Sequence, residues 1–231
     1  MMIVQRDIEL MGWILEQKFM SVVQVKKVFW KGVSDKTTEA CRRLCVLERE
    51  GYLKRNTNGF YRQVLYVVTK QGVKLLRGFG RDRGLSAVED VDHSNYKHDL
   101  AVTDVRILFH DLGYTEWLSE RLLIQWPELR RLPDGTIHHQ GRYFAVEYES
   151  AQKSRDRYRK MFLDYELDPL IHEVIYVVDP PALLTKISRE AANYAKLHFT
   201  TVQDLERQKL DTTLKGTDSK ATLGKLLTVP A

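Results

Sequence analysis

Residues 143–149 read YFAVEYE, and in a strand, where side chains alternate with period two, Glu147 and Glu149 leave the same face. Two carboxylates side by side repel each other, so either water screens them or something positive sits between them. Upstream lies Asp134, in the run LPDG. Lys153 stands a few residues downstream of the glutamate pair. Each residue also has a plainer reading. An Asp before a Gly is ordinary turn chemistry, and the glutamates could face solvent or pair with Arg142, Lys153 or Arg155. His138 and His139 are adjacent and so point oppositely on a strand, which suits a surface loop better than a chelate.

The chain has 231 residues, 43% hydrophobic and 29% charged, a globular composition with room for two domains. No run approaches the roughly 18 apolar residues of a membrane helix, and the N-terminus lacks a signal-peptide core, so a cytoplasmic location is expected. Cys41 and Cys45, the only cysteines, have no partners for a metal site and fit a reducing compartment. The net charge of +5 is uneven: residues 1–80 hold 15 Lys+Arg against 7 Asp+Glu, and the rest 21 against 24. A basic field confined to one module is the footprint of a polyanion-binding unit, with nucleic acid the leading partner.

Apolar spacing predicts a first helix through IELMGWILEQKF, a second capped by Ser21, and a third from about Ser34 to Glu50 with Gly51 as its stop. On the third, Ala40, Leu44 and Leu47 point inward, leaving Thr38, Glu39, Arg42 and Arg49 outward with Lys36 and Arg43 on the flanks. A hairpin around Asn56–Gly59 follows, and then a helix capped by Thr69. Residues 79–92, glycine-rich and charged, read as a linker between domains at 1–78 and 93–208, and 209–231 as a flexible tail. The second domain reads helix, a strand near WLSERLLIQ, a strand and hairpin around Asp134 and Gly135, the strand RYFAVEYES, a charged helix from about Gln152 to Glu166, and the strand HEVIYVV. Beyond it come a helix and FTTVQDLE, a short strand running into a helix.

The run from Thr38 to Thr69, with LEREGYLKR before the hairpin and YVVTKQG after it, resembles the winged helix-turn-helix of bacterial DNA-binding proteins. That resemblance implies that Lys36, Thr38, Arg42 and Arg43 approach bases and phosphates while Arg55, Asn56 and Arg62 hold the backbone of double-stranded DNA. Two-fold binding by a homodimer is common in that class, although no dimerisation motif is visible. The later order, with PDG on one strand and Glu on the next, resembles the PD-(D/E)XK nuclease-like fold. The fold class expected is therefore α+β: a winged helix-turn-helix followed by a nuclease-like α/β domain with a central mixed sheet. The resemblance matches Asp134 and Glu147 to two catalytic positions, but Glu149 stands where the lysine belongs, and a glutamate cannot stabilise developing negative charge. If the site is active, Lys153 is the substitute.

The combination of winged helix, a helix holding His98 and Asp104, LPDG, VEYES, RDRYRKMFLDYE and HFTTVQDLE is similar over about residues 5–207 to the replication-relaxation family of bacterial plasmids and mobile elements. In that comparison Glu147, Glu149, Lys160 and Tyr165 match the family pattern. It implies a DNA-binding role in replication, relaxation or mobilisation, with replication proteins or relaxases as partners and a degenerate nuclease-like domain. The alternatives are a Mg²⁺- or Mn²⁺-dependent endonuclease or nickase using Asp134, Glu147 and Glu149, and a winged-helix transcriptional regulator.

Overall fold

A computed structural model describes residues 2–32, 36–57, 63–216 and 221–228, and for Lys36 and Thr37 the backbone only. It is a mixed α+β protein, with ten α-helices and two sheets among the described residues, and it divides into two compact units, 1–107 and 108–231. None of its helices among the described residues is long and apolar enough to cross a membrane.

The first unit begins with α1 (Gln5–Glu16), whose Ile8, Met11, Ile14 and Leu15 are buried as their spacing predicts. The short strand β1 (Met20–Ser21) leads into α2 (Val22–Phe29), where Ser21 Oγ accepts the Gln24 N–H at 3.2 Å. On α3 (Lys36–Arg49), Ala40, Leu44 and Leu47 are fully buried, and Gly51 takes the left-handed conformation that ends the helix. Strands β2 (Leu53–Asn56) and β3 (Leu65–Val68) pair antiparallel, and β1 joins on the far side of β3. The tip expected for this hairpin, with Arg62, lies outside the described residues. Thr69 caps α4 (Lys70–Gly78), accepting the Gly72 N–H at 3.1 Å.

Residues 79–92 are not a free linker. Leu85 and Val91 are buried, Val91 against Phe19, Leu65, Val67 and Leu100, and Arg83 pairs with Glu16 at 2.9 Å. Two apolar anchors suffice to hold an irregular segment that has no period of its own. Helix α5 (Tyr96–Asp111) follows, and the division between the two units falls within it, after Ile107.

The second unit is built on a five-stranded mixed sheet in the order β4 (Trp117–Ser119), β5 (Gly135–His139), β6 (Arg142–Glu149), β7 (Ile171–Val178), β8 (Leu197–Thr201). The first three strands are antiparallel, while β6, β7 and β8 run parallel. One sheet face is covered by α7 (Arg155–Glu166) and α8 (Leu184–Glu190), with Phe162, Tyr165, Tyr176 and Phe199 in the core between. Three expectations change. The strand read through WLSERLLIQ ends at Ser119, where α6 (Glu120–Leu123) takes over. The hairpin turn is not at Asp134–Gly135 but at Gln140–Gly141, both with positive φ, so His138 and His139 lie on β5 and not in a loop. The tail is not wholly free: Leu214, Leu223 and Leu227 are buried, and Lys215 pairs with Phe199 along the edge of β8 before α10 (Leu223–Thr228). An open sheet edge next to a few leucines is enough to recruit a polar segment. After β8, Thr201 caps α9 (Val202–Gln208), accepting the Asp204 N–H at 3.0 Å.

The Asp7 carboxylate is wholly buried and holds α3 to α1 through Arg43, whose Nε donates to Oδ1 at 2.7 Å and whose second guanidinium nitrogen bonds Oδ2. Removing the cation leaves a buried charge with only the Val4 N–H beside it. Arg43→Ala is expected to lower stability by about 2 kcal/mol or more, and Arg42→Ala, on the exposed side, by less than about 0.5 kcal/mol. Urea unfolding of the two variants measures the difference, and equal losses would contradict it.

Candidate functional site

The candidate residues fall into two groups, one in each unit. In the first unit, α3 leaves Thr38 and Arg42 exposed. On β2, Arg55 is exposed and pairs loosely with Glu48 at 3.5 Å, and Asn56 is half-buried. Arg43 departs from its expected place beside them: it is turned inward to Asp7, because a buried carboxylate at the α1 terminus competes for it more strongly than solvent does. The helix containing His98 and Asp104 does not join them in a site, since Asp104 pairs with Lys27 at 2.9 Å. Cys45 is exposed and Cys41 half-buried, and both are free thiols.

In the second unit, strand register determines the arrangement. Gly135 faces Val146, which sets the preceding Asp134 beside Glu147, and Asp134 Oδ2 accepts the Tyr148 N–H at 2.8 Å. Glu147 in turn pairs with Tyr176 and Tyr176 with Phe199. Asp134, Glu147 and Tyr176 thus form one row across the sheet on the side that α7 covers. Glu147 and Glu149 share that face as period two requires, and both are buried, at 6% and 3% exposure, so water is not what separates their charges.

Cations do so, one for each. Glu147 Oε1 accepts from Arg131 Nε at 3.1 Å and from the Tyr165 hydroxyl. Glu149 pairs with the Lys153 ammonium and accepts the Ala151 N–H at 3.3 Å. The other two cations weighed as partners are used elsewhere, Arg142 with Glu173 at 3.6 Å and Arg155 with Glu190 at 2.8 Å. Burial, with the Asp134 charge added, raises the Glu147 carboxyl to about 7 although Arg131 and Tyr165 pull it back. The Tyr165 and Tyr176 phenols are pushed well above their ordinary value by burial and then by Glu147, so both stay protonated. The Tyr176 hydroxyl is buried without a hydrogen-bond partner among the described residues.

As a divalent-metal site this donor set does not fit. Among the described residues no cluster of three or more His, Cys, Asp and Glu is arranged to hold a metal ion, and Glu147 and Glu149 already carry a guanidinium and an ammonium. Lys153, expected as a substitute for the missing catalytic lysine, is engaged with the very glutamate that replaced it. Sequence reasoning missed Arg131 and Tyr176. Arg131 stands three residues before Asp134 in ELRRLPDG, a signal legible only once the register is known, and Tyr176 in HEVIYVV reads as one more apolar strand residue.

A raised carboxyl favours the folded state while it is protonated. Its contribution is fully present below the unfolded value near 4.5 and is lost as pH rises through about 7. Glu147→Gln keeps a hydrogen-bonding group without the charge. The stability difference between wild type and Glu147→Gln is expected to move by about 3 kcal/mol against wild type between pH 4.5 and pH 8. Denaturant titrations across that range test it; a difference that does not change with pH would remove the buried-carboxyl account.

A sequence model of the replication-relaxation family matches residues 11–167, from the middle of α1 to the end of α7, and so covers both groups of residues except Tyr176. No curated protein matches the chain. With more than half of its length matched, the chain belongs to the replication-relaxation family.

Proposed function

We propose that this protein binds double-stranded DNA of a plasmid or other mobile element and acts in its replication, relaxation or mobilisation, reading DNA through its first unit and using the second as a scaffold. Family membership supports the setting. In this reading the first unit is a winged helix-turn-helix, a view favoured by the order α1, α2, α3, β2, β3, α4. The single observation that carries it is α3, which buries Ala40, Leu44 and Leu47 on one side and leaves Thr38 and Arg42 exposed on the other. Lys36, Thr38 and Arg42 approach the groove, while Arg55, Asn56 and Arg62 hold phosphates. Arg43 supports α3 from behind and is removed from the contact set.

The second unit is read as a PD-(D/E)XK-like domain whose acids have become structural. Helix α5, three antiparallel strands, α7 and a parallel strand follow the order of that fold. The carboxylates are saturated by Arg131 and Lys153, where hydrolysis needs them open to an ion and a water. Relaxases or replication proteins are the partners this setting suggests, and a homodimer would match a two-fold DNA site.

For the full chain, the logarithm of duplex affinity should fall linearly with the logarithm of salt concentration, and Arg42→Ala should weaken binding and reduce the slope by about 1. Binding that is absent at low salt, or indifferent to Arg42, would overturn the reading.

A second reading, a metal-dependent DNA nickase, is favoured by one observation: Asp134 and Glu147 lie side by side in register. Supercoiled plasmid incubated with Mg²⁺ or Mn²⁺ separates the two. The scaffold reading expects no nicking above that of an Asp134→Ala control, and nicking that the control loses would establish the enzyme.

A further inference from the structure

The second unit holds 17 Lys+Arg and 18 Asp+Glu, close to neutral, so charge summed along the sequence predicts no affinity for polyanions. In the fold the cations are not spread evenly, although Asp156, Asp164 and Glu166 share α7 with them. Nine of the 17 cations fall in three short stretches, Arg130–Arg131, Lys153–Lys160 and Lys186–Arg189, which come together along α7. Residues 155 and 157 sit on opposite flanks of that helix, while Tyr158, Met161, Phe162 and Tyr165 bury its inner side. Each flank borders a cleft. One, of about 520 Å³, is lined by Arg130, Arg131, Arg157 and Lys160 together with Asp164. The other, of about 190 Å³, is lined by Lys153, Arg155, Lys186 and Arg189 together with Glu190.

Two of these nine are neutralised at short range, Lys153 by Glu149 and Arg155 by Glu190, and Arg131 is held by Glu147. Arg130, Arg157, Arg159, Lys160 and Arg189 are exposed and form no ion pair among the described residues. Leaving several like charges adjacent and unpaired raises the energy of the free protein, and a bound polyanion removes that repulsion. Six of the nine are arginines, whose forked donors match phosphate oxygens. At about 1.5 Å per residue the 12 residues of α7 span about 18 Å, roughly five phosphate steps of one strand at 3.4 Å each.

We infer that the α7 face of the second unit is a nucleic-acid backbone-binding surface, with Arg130, Arg157 and Lys160 in its larger cleft as the principal phosphate contacts. This surface does not depend on α3, and its sequence-independent contacts would add to whatever the first unit recognises. Arg131 is distinct from the other three: held by Glu147, it lines the cleft in a fixed orientation.

The test uses the full chain with Arg130, Arg157 and Lys160 all changed to Gln, beside Arg42→Ala, with duplex affinity measured from 50 to 300 mM salt. All three replaced side chains form no ion pair among the described residues, so the unfolding midpoint should stay within a degree or two of wild type, roughly. The triple variant should reduce the salt slope by about 2 to 3 and weaken binding roughly tenfold or more near 100 mM salt. An unchanged slope and affinity in the triple variant, with binding weakened in Arg42→Ala, would overturn this surface and leave the first-unit reading intact. The opposite pattern would support the surface and overturn that reading. Polyglutamate that displaced the duplex as well as unlabelled DNA of equal charge would also overturn it, since the face would then serve acidic protein.

Discussion

Burying a carboxylate costs several kcal/mol unless a cation and hydrogen-bond donors are buried with it, and the second unit is organised around meeting that requirement at Glu147. The side chain projects from a central strand into the layer that α7 covers, so little solvent reaches it. Arg131 supplies the charge and Tyr165 the hydroxyl. Both come from elements that must therefore be placed accurately: the segment before β5 and the last turn of α7. Arg131 also lies over the Tyr165 ring, 5.7 Å from its centroid, which ties the two partners to each other as well as to the acid. Glu149 meets the same constraint one step further along the strand, where the chain leaving β6 can fold back and offer Lys153.

Glu149 adds a second interior acid on the same face of the sheet, 3% exposed. A further acid requires a further cation, and the closest available is Lys153. The pair that results, Glu149 with Lys153, is a self-contained unit at the start of α7 and holds the approach to the helix in place.

Much of this could be read before the fold was known, because it rests on local rules. Period two put Glu147 and Glu149 on one face, helical spacing identified Ala40, Leu44 and Leu47 as the inner side of α3, and Ser21 and Thr69 stood at their caps. What escaped depends on register or on long-range pairing. The turn fell at Gln140–Gly141 and not at Asp134–Gly135 because the sheet, not the dipeptide, decides which of two turn-competent pairs lies between strands. Residues 79–92 read as a linker and 209–231 as a tail because Leu85, Val91, Leu214 and Leu223 are isolated in sequence and meet their partners only in space. Arg43 was misplaced for the same reason, since the buried Asp7 that claims it lies on a different helix.

Charge shows the same limit in its strongest form. A sum over residues treats every cation as available and every acid as its neutraliser, but in the second unit several acids are interior and consume particular partners. Asp168 lies fully buried and accepts the Arg130 and Leu170 backbone N–H groups, so its charge is committed to main-chain donors. Glu147 takes Arg131 in the same way. The cations left exposed along α7 therefore stand in a field more positive than the total implies. Arg131 joins the two sides of this arrangement: its Nε bonds the buried carboxylate while the residue lines the cleft. A guanidinium fixed from behind loses less rotamer freedom on meeting an anion than a free surface arginine does, so the interior acid contributes by holding a donor in place.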